Sequence, residues 1–291
     1  MNLTYLFHSE QFVKQQGEAI ELIAGMGESS ARISIFLENG QALSPVKAPF
    51  GSFLFEGEPN PDLVRQILFQ IENLASRMRL TIFTLVLPPD SYQPEIHFWL
   101  QSLLLDNGYQ IAWQDLNFHL DLSKQFIQGL HRSERWKLNK AIREGYQFKK
   151  IDSPDWDFAY SFFLESRNRK GYTLSMEKSE LEKAFELFPE HYTMYGILFS
   201  GSYVALAISI EVNREIEYLF YTADDLKHRK RSPMVLLHAG LVRMSQSKGS
   251  SLLDLGTSSV KGVVNNGVAT FKRNLGATAS LKSTFIRKFK N

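Results

Sequence analysis

The stretch that decides the fold reads Tyr218-Leu-Phe-Tyr-Thr-Ala-Asp224, Lys227-His-Arg-Lys-Arg231, Ser232-Pro233, Leu253-Asp-Leu-Gly256 and Phe271-Lys-Arg-Asn-Leu-Gly276. It runs as strand, basic loop, helix, strand and short helix. Met234, Leu237, Leu241 and Met244 recur at helical spacing behind a proline suited to the first helical position. The five-residue cationic run therefore falls at a helix N-terminus. Unpaired backbone N–H groups and the helix dipole already favour an anion there. Arg229, Lys230, Arg231 and Ser232 form the candidate seat for a phosphate. Asp254 is expected at a strand end, followed by Gly256 and Ser258, a position that lines ligand crevices in α/β sheets. Lys272 is a candidate for neutralising charge that develops in acyl transfer.

Working outward, the first half repeats this grammar. A short strand over Leu3–Phe7 and a helix from Ser9 are followed by apolar runs at Ala31–Glu38, Gln41–Val46 and Ser52–Phe55. Asn60-Pro61 opens a helix whose apolar face is Leu63, Val64, Ile67, Leu68, Ile71, Leu74, Ala75 and Met78. A strand over Leu80–Leu87, a helix over Pro94–Asp106 and a strand over Tyr109–Leu120 complete it. The second half places strands at Thr193–Phe199, Ser202–Val212 and Glu215–Thr222, then the stretch quoted above, then a final strand over Ser280–Phe289. Both halves thus read as three strands, helix, strand, helix, strand, with no residue-level repeat. Two α/β (α+β) modules are expected, 1–122 and 123–291, the second beginning with a basic helix over His131–Gly145. The loop leading to the first module's helix, Glu56-Gly-Glu-Pro-Asn-Pro-Asp62, is acidic where its counterpart is basic.

The bulk composition narrows the function classes. With 44% hydrophobic and 22% charged residues, the 291-residue chain can bury a core. A net charge of +2 is too small for a whole-surface nucleic-acid binder, so any anion site is local. The absence of cysteine removes disulfides, thiolate zinc sites and a cysteine nucleophile, and fits a reducing cytoplasm, the expected location. Met1–Lys14 carries Glu10 and no long apolar run, so no secretory signal is expected. No apolar run reaches the roughly 20 residues that span a bilayer. The seven histidines show no pair at metal-ligand spacing, so no metal is expected. The glycine signatures GxxxxGKS/T and GxGxxG and the nucleophile elbow GxSxG are absent.

Tyr218–Asp224, Arg231-Ser-Pro233, Gly249 with Leu253-Asp-Leu-Gly256, Phe271-Lys272 and Leu275-Gly276 together resemble the C-terminal module of the Fem family. Those enzymes are aminoacyltransferases that extend peptidoglycan cross-bridge peptides, within the wider clan of GNAT-fold N-acyltransferases. Leu130–Gly145 and Ala48-Pro-Phe-Gly51 resemble further family segments, so the likeness covers most of the chain. It implies two tandem GNAT-like modules, each a mixed, mostly antiparallel sheet flanked by helices. The long helical-hairpin insertion of some members is missing. The resemblance implies that Phe271 and Lys272 lie at the catalytic cleft, with the lysine stabilising charge, and that Tyr221 lines it. Asp254 is the candidate base. Ser258, Arg169, Tyr172 and Lys47 are further cleft candidates. No tightly bound cofactor is implied. The co-substrate is aminoacyl-tRNA or acyl-CoA and the acceptor an amine, on a peptidoglycan precursor or on a smaller molecule. The alternative is a degenerate GNAT pair that binds RNA or a protein partner.

Overall fold

The computed structural model describes residues 4–169 and 171–289. The first half contains α1 (Glu10–Gln16), β1 (Ala19–Met26), β2 (Ser29–Glu38), β3 (Gln41–Ser44), β4 (Leu54–Glu56) and α2 (Pro61–Met78). It continues through β5 (Ile82–Val86), α3 (Pro94–Asp106) and β6 (Gln110–Asp121). Next come α4 (Phe126–Gly129), α5 (Arg132–Arg143), β7 (Gln147–Ile151), α6 (Trp156–Asn168) and α7 (Lys178–Leu187). The remainder is β8 (Tyr192–Phe199), β9 (Ser202–Asn213), β10 (Ile216–Asp224), α8 (Pro233–Ser247), β11 (Leu252–Thr257), β12 (Ser259–Val260), β13 (Val263–Val264), α9 (Asn266–Asn274) and β14 (Thr278–Lys288).

The chain divides into two compact units. The first comprises 1–117, 257–265 and 280–291; the second comprises 118–256 and 266–279. The expected boundaries, 1–122 and 123–291, differ from this division because the last strand belongs to the first unit. There β14 pairs antiparallel with β5, Phe285 opposite Leu85.

In the first unit the strands follow the order β1-β2-β3-β5-β14, with β4 on β2. α2 covers this sheet with the face expected from its spacing, from Leu63 to Ala75; Met78 alone of that set is exposed. Each large side chain so buried contributes roughly 1.5–3 kcal/mol. The helix opens as its sequence dictates: the Asn60 side chain accepts from the Asp62 N–H at 2.8 Å, and Pro61 occupies the first turn. Two readings change. Leu6–His8 is a 3-10 turn where a strand was expected, and Leu3 lies outside the described residues. β1 was not expected, because it is an edge strand whose residues are nearly all exposed or half-exposed and carry no clean alternation.

In the second unit the order is β11-β10-β9-β8-β7, antiparallel except for the parallel β10–β11 pair. β8 and β9 are buried along most of their length, under α6 and α8. α8 is buried nearly all round, so its core face is wider than the expected stripe: Val235, Leu236, His238 and Val242 join Leu237 and Leu241. Gly276 ends α9 at φ +82°, and a Cβ there would meet the Gly129 carbonyl oxygen at 2.7 Å. That close backbone approach explains the Leu275-Gly276 pair, with Leu275 fully buried beside it. Among the described residues no helix is long and apolar enough to cross a membrane.

Candidate active site in the second unit

The expected catalytic lysine is buried. Lys272 lies on α9 with 7% of its surface exposed, and its Nζ donates to the Gly256 carbonyl at 2.8 Å. The Phe118 ring is 5.9 Å from the ammonium, and Arg273 lies over the same ring at 5.4 Å. Burial pushes the Lys272 pKa down to about 8, opposed by the charge of Asp254 and reinforced by that of Arg167. A cation held so deep costs the fold free energy, which marks the position as a candidate functional site.

β11 sets the other wall. Asp254 falls inside this strand, not at its end, because β11 continues through Gly256 to Thr257. Gly256 has φ +75°, and its N–H donates to Asp254 Oδ1 at 2.7 Å. Gly256 is therefore held at both of its backbone polar groups, by Asp254 at its N–H and by Lys272 at its carbonyl. A Cβ on Gly256 would lie 3.5 Å from the Tyr218 ring. Burial and the neighbouring Asp254 charge push the Tyr218 phenol upward, so it stays protonated. His238, on α8, packs edge-on against Phe271 at 5.5 Å. Its pKa is lowered to about 4, by burial first and by Lys272 as well, against the Met234 carbonyl to which its Nδ1 donates.

Tyr221 is buried and engaged. Its hydroxyl accepts the Ser175 and Met176 N–H groups at 3.0 and 3.2 Å and bonds the Ser175 hydroxyl at 2.7 Å. The Arg167 guanidinium lies over its ring at 5.4 Å. Tyr221 thus anchors the loop before α7 and holds Arg167 near the Lys272 group. Arg169 donates to the Asp224 carbonyl at 2.8 Å, and half-buried Tyr172 follows in the same loop. Ser258 and Lys47 belong to the first unit, Ser258 buried and Lys47 exposed.

The basic run forms a 3-10 turn, Leu226–Arg231, capped by Asp225, whose side chain accepts the Lys227 N–H. Arg231 bonds Glu144 at 2.8 Å, and His228 bonds the Tyr146 hydroxyl at 2.8 Å. Arg229 and Lys230 are exposed. Ser232 has left-handed backbone, φ 51°, and its hydroxyl points to the Arg229 carbonyl at 3.4 Å instead of capping α8.

Neither a scan against family models nor a search of curated proteins gives a match. Solved structures do. The chain resembles FemX with a TM-score of 0.72 at 12% identity, over 98% of this chain and 92% of that one. It resembles the C-terminal domain of a lysylphosphatidylglycerol synthetase from Agrobacterium fabrum with a TM-score of 0.61 at 14% identity, over 94% and 85% of the two chains. A tandem GNAT protein from the clavulanic acid biosynthesis pathway gives 0.55 at 13% identity, over 92% and 83%. The chain thus has a Fem-like, tandem GNAT-like fold.

Within the second unit, the structure brings Lys272, Asp254 and Phe271 together with Tyr218, Arg167 and His238. The last three were missed from sequence. Tyr218 carried a signal: it lies on the same strand as Tyr221, three residues earlier. Arg167 and His238 had none, since a loop-flanking arginine and a helical histidine are each common in structural roles.

Proposed function

We propose that the second unit transfers an acyl or aminoacyl group from a phosphate-bearing carrier to an amine. The observation that carries this reading is the buried Lys272 ammonium beside the Gly256 peptide. The acceptor amine attacks the ester or thioester carbonyl of the donor, and the carbonyl oxygen becomes an oxyanion. Lys272, turned from the Gly256 carbonyl or shared with it, donates to that oxygen. Asp254 is the proposed acceptor for the amine's proton. When the tetrahedral species collapses, the C–O or C–S bond breaks, and the departing oxygen or sulfur takes a proton from Lys272. A pKa near 8 suits this role, because the group is a cation at neutral pH and yields its proton readily. Arg229 and Lys230 are the exposed cations proposed to hold the carrier phosphates, with Arg231 bracing their turn through Glu144. No covalent enzyme intermediate is involved.

A transfer assay with a panel of acyl-CoA and aminoacyl-tRNA donors tests this. Lys272→Ala should lower kcat by about 10²–10³, the effect of removing one preformed donor to an oxyanion. Unchanged turnover would remove the role assigned to Lys272. The second reading, RNA binding without transfer, is favoured by one observation: Trp136 is 57% exposed on basic α5, with Lys140 over its ring at 5.1 Å. Steeply salt-dependent tRNA binding, with no acyl product from any donor, would select it.

A further inference from the structure

The first unit contains a cavity of about 830 Å³ that the reading above does not use. It lies beside the loop leading to α2 and the first turn of α3, lined by residues 53–55, 57–59 and 93–96 together with Tyr5. Its size is that of a small-molecule site. Phe53, Phe55, Tyr5 and Ile96 supply aromatic and apolar wall, and Glu58 and Glu95 supply exposed carboxylates. None of its lining residues is basic.

By element order this is the first unit's counterpart of the basic turn before α8, but the charge is reversed. The helix ends nearby do not restore an anion site. Asp62 lies in the first turn of α2 and Glu95 in that of α3, so each end carries its own negative charge. The Asn60 side chain also occupies the Asp62 N–H. A phosphate entering here would meet carboxylates and filled donors. A cation would meet carboxylates and ring faces, which attract it. Phe53 and Phe55 stack at 6.4 Å, and Trp99 backs Phe55 at 5.9 Å, so the aromatic wall is held in place.

We propose that this cavity binds an organic cation: a primary or quaternary amine on an apolar body, its ammonium met by Glu58 and Glu95 and its body by Phe53 and Phe55. The inference stands whether or not the second unit transfers acyl groups.

Titration calorimetry on the full chain tests it with three probes of one shape: benzyltrimethylammonium, its uncharged isostere neopentylbenzene, and benzyl phosphate. Benzyltrimethylammonium should bind saturably, the isostere about tenfold more weakly, and benzyl phosphate not at all. The double substitution Glu58→Gln with Glu95→Gln, at exposed positions, should weaken the cation about tenfold and leave the isostere unchanged. Ile96→Trp, which fills the cavity, should abolish binding of the cation. Equal affinity for cation and isostere, preference for benzyl phosphate, or unchanged cation binding in the double variant would each overturn the proposal. So would binding that survives Ile96→Trp in a folded variant.

Discussion

The start of α2 in the first unit and the start of α8 in the second share one plan, a proline in the first turn behind a short polar residue, yet they end with opposite character. In the first, Asn60 caps the helix, Asp62 follows in the first turn and pairs with Arg65, and the leading loop is acidic. In the second, Ser232 adopts left-handed backbone and makes no cap, no acid lies in the first turn, and a cationic 3-10 turn precedes it. The difference teaches that a helix N-terminus is not by itself a phosphate site. What decides is whether a side chain already fills the leading donors, and which charge the preceding turn carries. The second unit also holds a buried cation, Lys272, whereas among the described residues no lysine or arginine of the first unit is buried.

The largest expected effect breaks this asymmetry at Lys272. Beyond the loss of kcat given above, the rate should fall as pH rises through about 8, because charge stabilisation requires the protonated form. A rate that instead rises through that pH would make Lys272 a base. The stability effect has the opposite sign. The folded pKa is about 8 and the unfolded value 10.5, so the unfolded chain binds more protons between them and stability rises with pH across that window. At pH 7 the full penalty of about 3 kcal/mol is present. Lys272→Met should therefore stabilise the protein by about 1–3 kcal/mol, the Gly256 carbonyl losing its donor, while lowering kcat by about 10²–10³ as the alanine does. Urea denaturation at pH 7 checks it.

Acid should reveal a symmetry in place of a contrast, since each unit holds a buried histidine whose pKa burial lowers to about 4, His8 in the first and His238 in the second. His8 donates through Nε2 to the Gly51 carbonyl, and His238 through Nδ1 to the Met234 carbonyl. Burial is the main cause that lowers both to about 4, from 6.5. The unfolded state then binds the extra proton between pH 6.5 and 4. Stability is complete above 6.5 and falls as pH drops through the window, by about 3 kcal/mol for each group. His8→Gln and His238→Gln should each flatten the pH dependence of the denaturation midpoint over this range. An unchanged slope in either variant would show that its histidine is already protonated in the fold.

The asymmetry between the helix starts was half legible in sequence. The acidic and basic loops could be read directly, as could α2, whose cap, proline and apolar spacing agree with one another. Ser232-Pro233 looked like a second cap because Ser and Asn share that preference. The left-handed Ser232 closes the 3-10 turn that Asp225 caps at its other end, and no propensity of Ser232 itself announces that position. The same limit applies at β11. The strand was legible, but the turn chemistry of Asp254 and Gly256 suggested an end there, whereas in the sheet the Asp254 carboxylate satisfies the Gly256 N–H and the strand runs on. Lys272 was a candidate from its place in the sequence and a stronger one by resemblance, but neither foretold its burial. The partners Tyr218, Arg167 and His238 come from β10, α6 and α8, and only the sheet order brings such distant positions into one group.

A smaller effect separates the cations of the basic turn. Arg229→Ala with Lys230→Ala should raise the donor KM about tenfold with little change in kcat, and the effect should shrink at high salt because both groups are exposed. Arg231→Ala should raise it less, since that guanidinium is already engaged with Glu144. If Arg231→Ala proves the more damaging, the Glu144 pair opens on binding and Arg231 is itself the phosphate contact.

The smallest expected effect tests the two helix starts directly. Asn60→Ala removes a side-chain cap and should cost about 1 kcal/mol. Ser232→Ala removes no cap and should cost no more than a few tenths. Ser232→Gly should stabilise by about 0.5 kcal/mol, because glycine tolerates the left-handed conformation that serine is forced to adopt there. The contrast between the two alanine variants, measured in one denaturation series, isolates the cap from the shared proline. If Ser232→Ala cost as much as Asn60→Ala, the serine would be capping α8 in solution. Its N-terminal donors would then be filled, and the basic turn would have to hold a carrier phosphate through Arg229 and Lys230 alone.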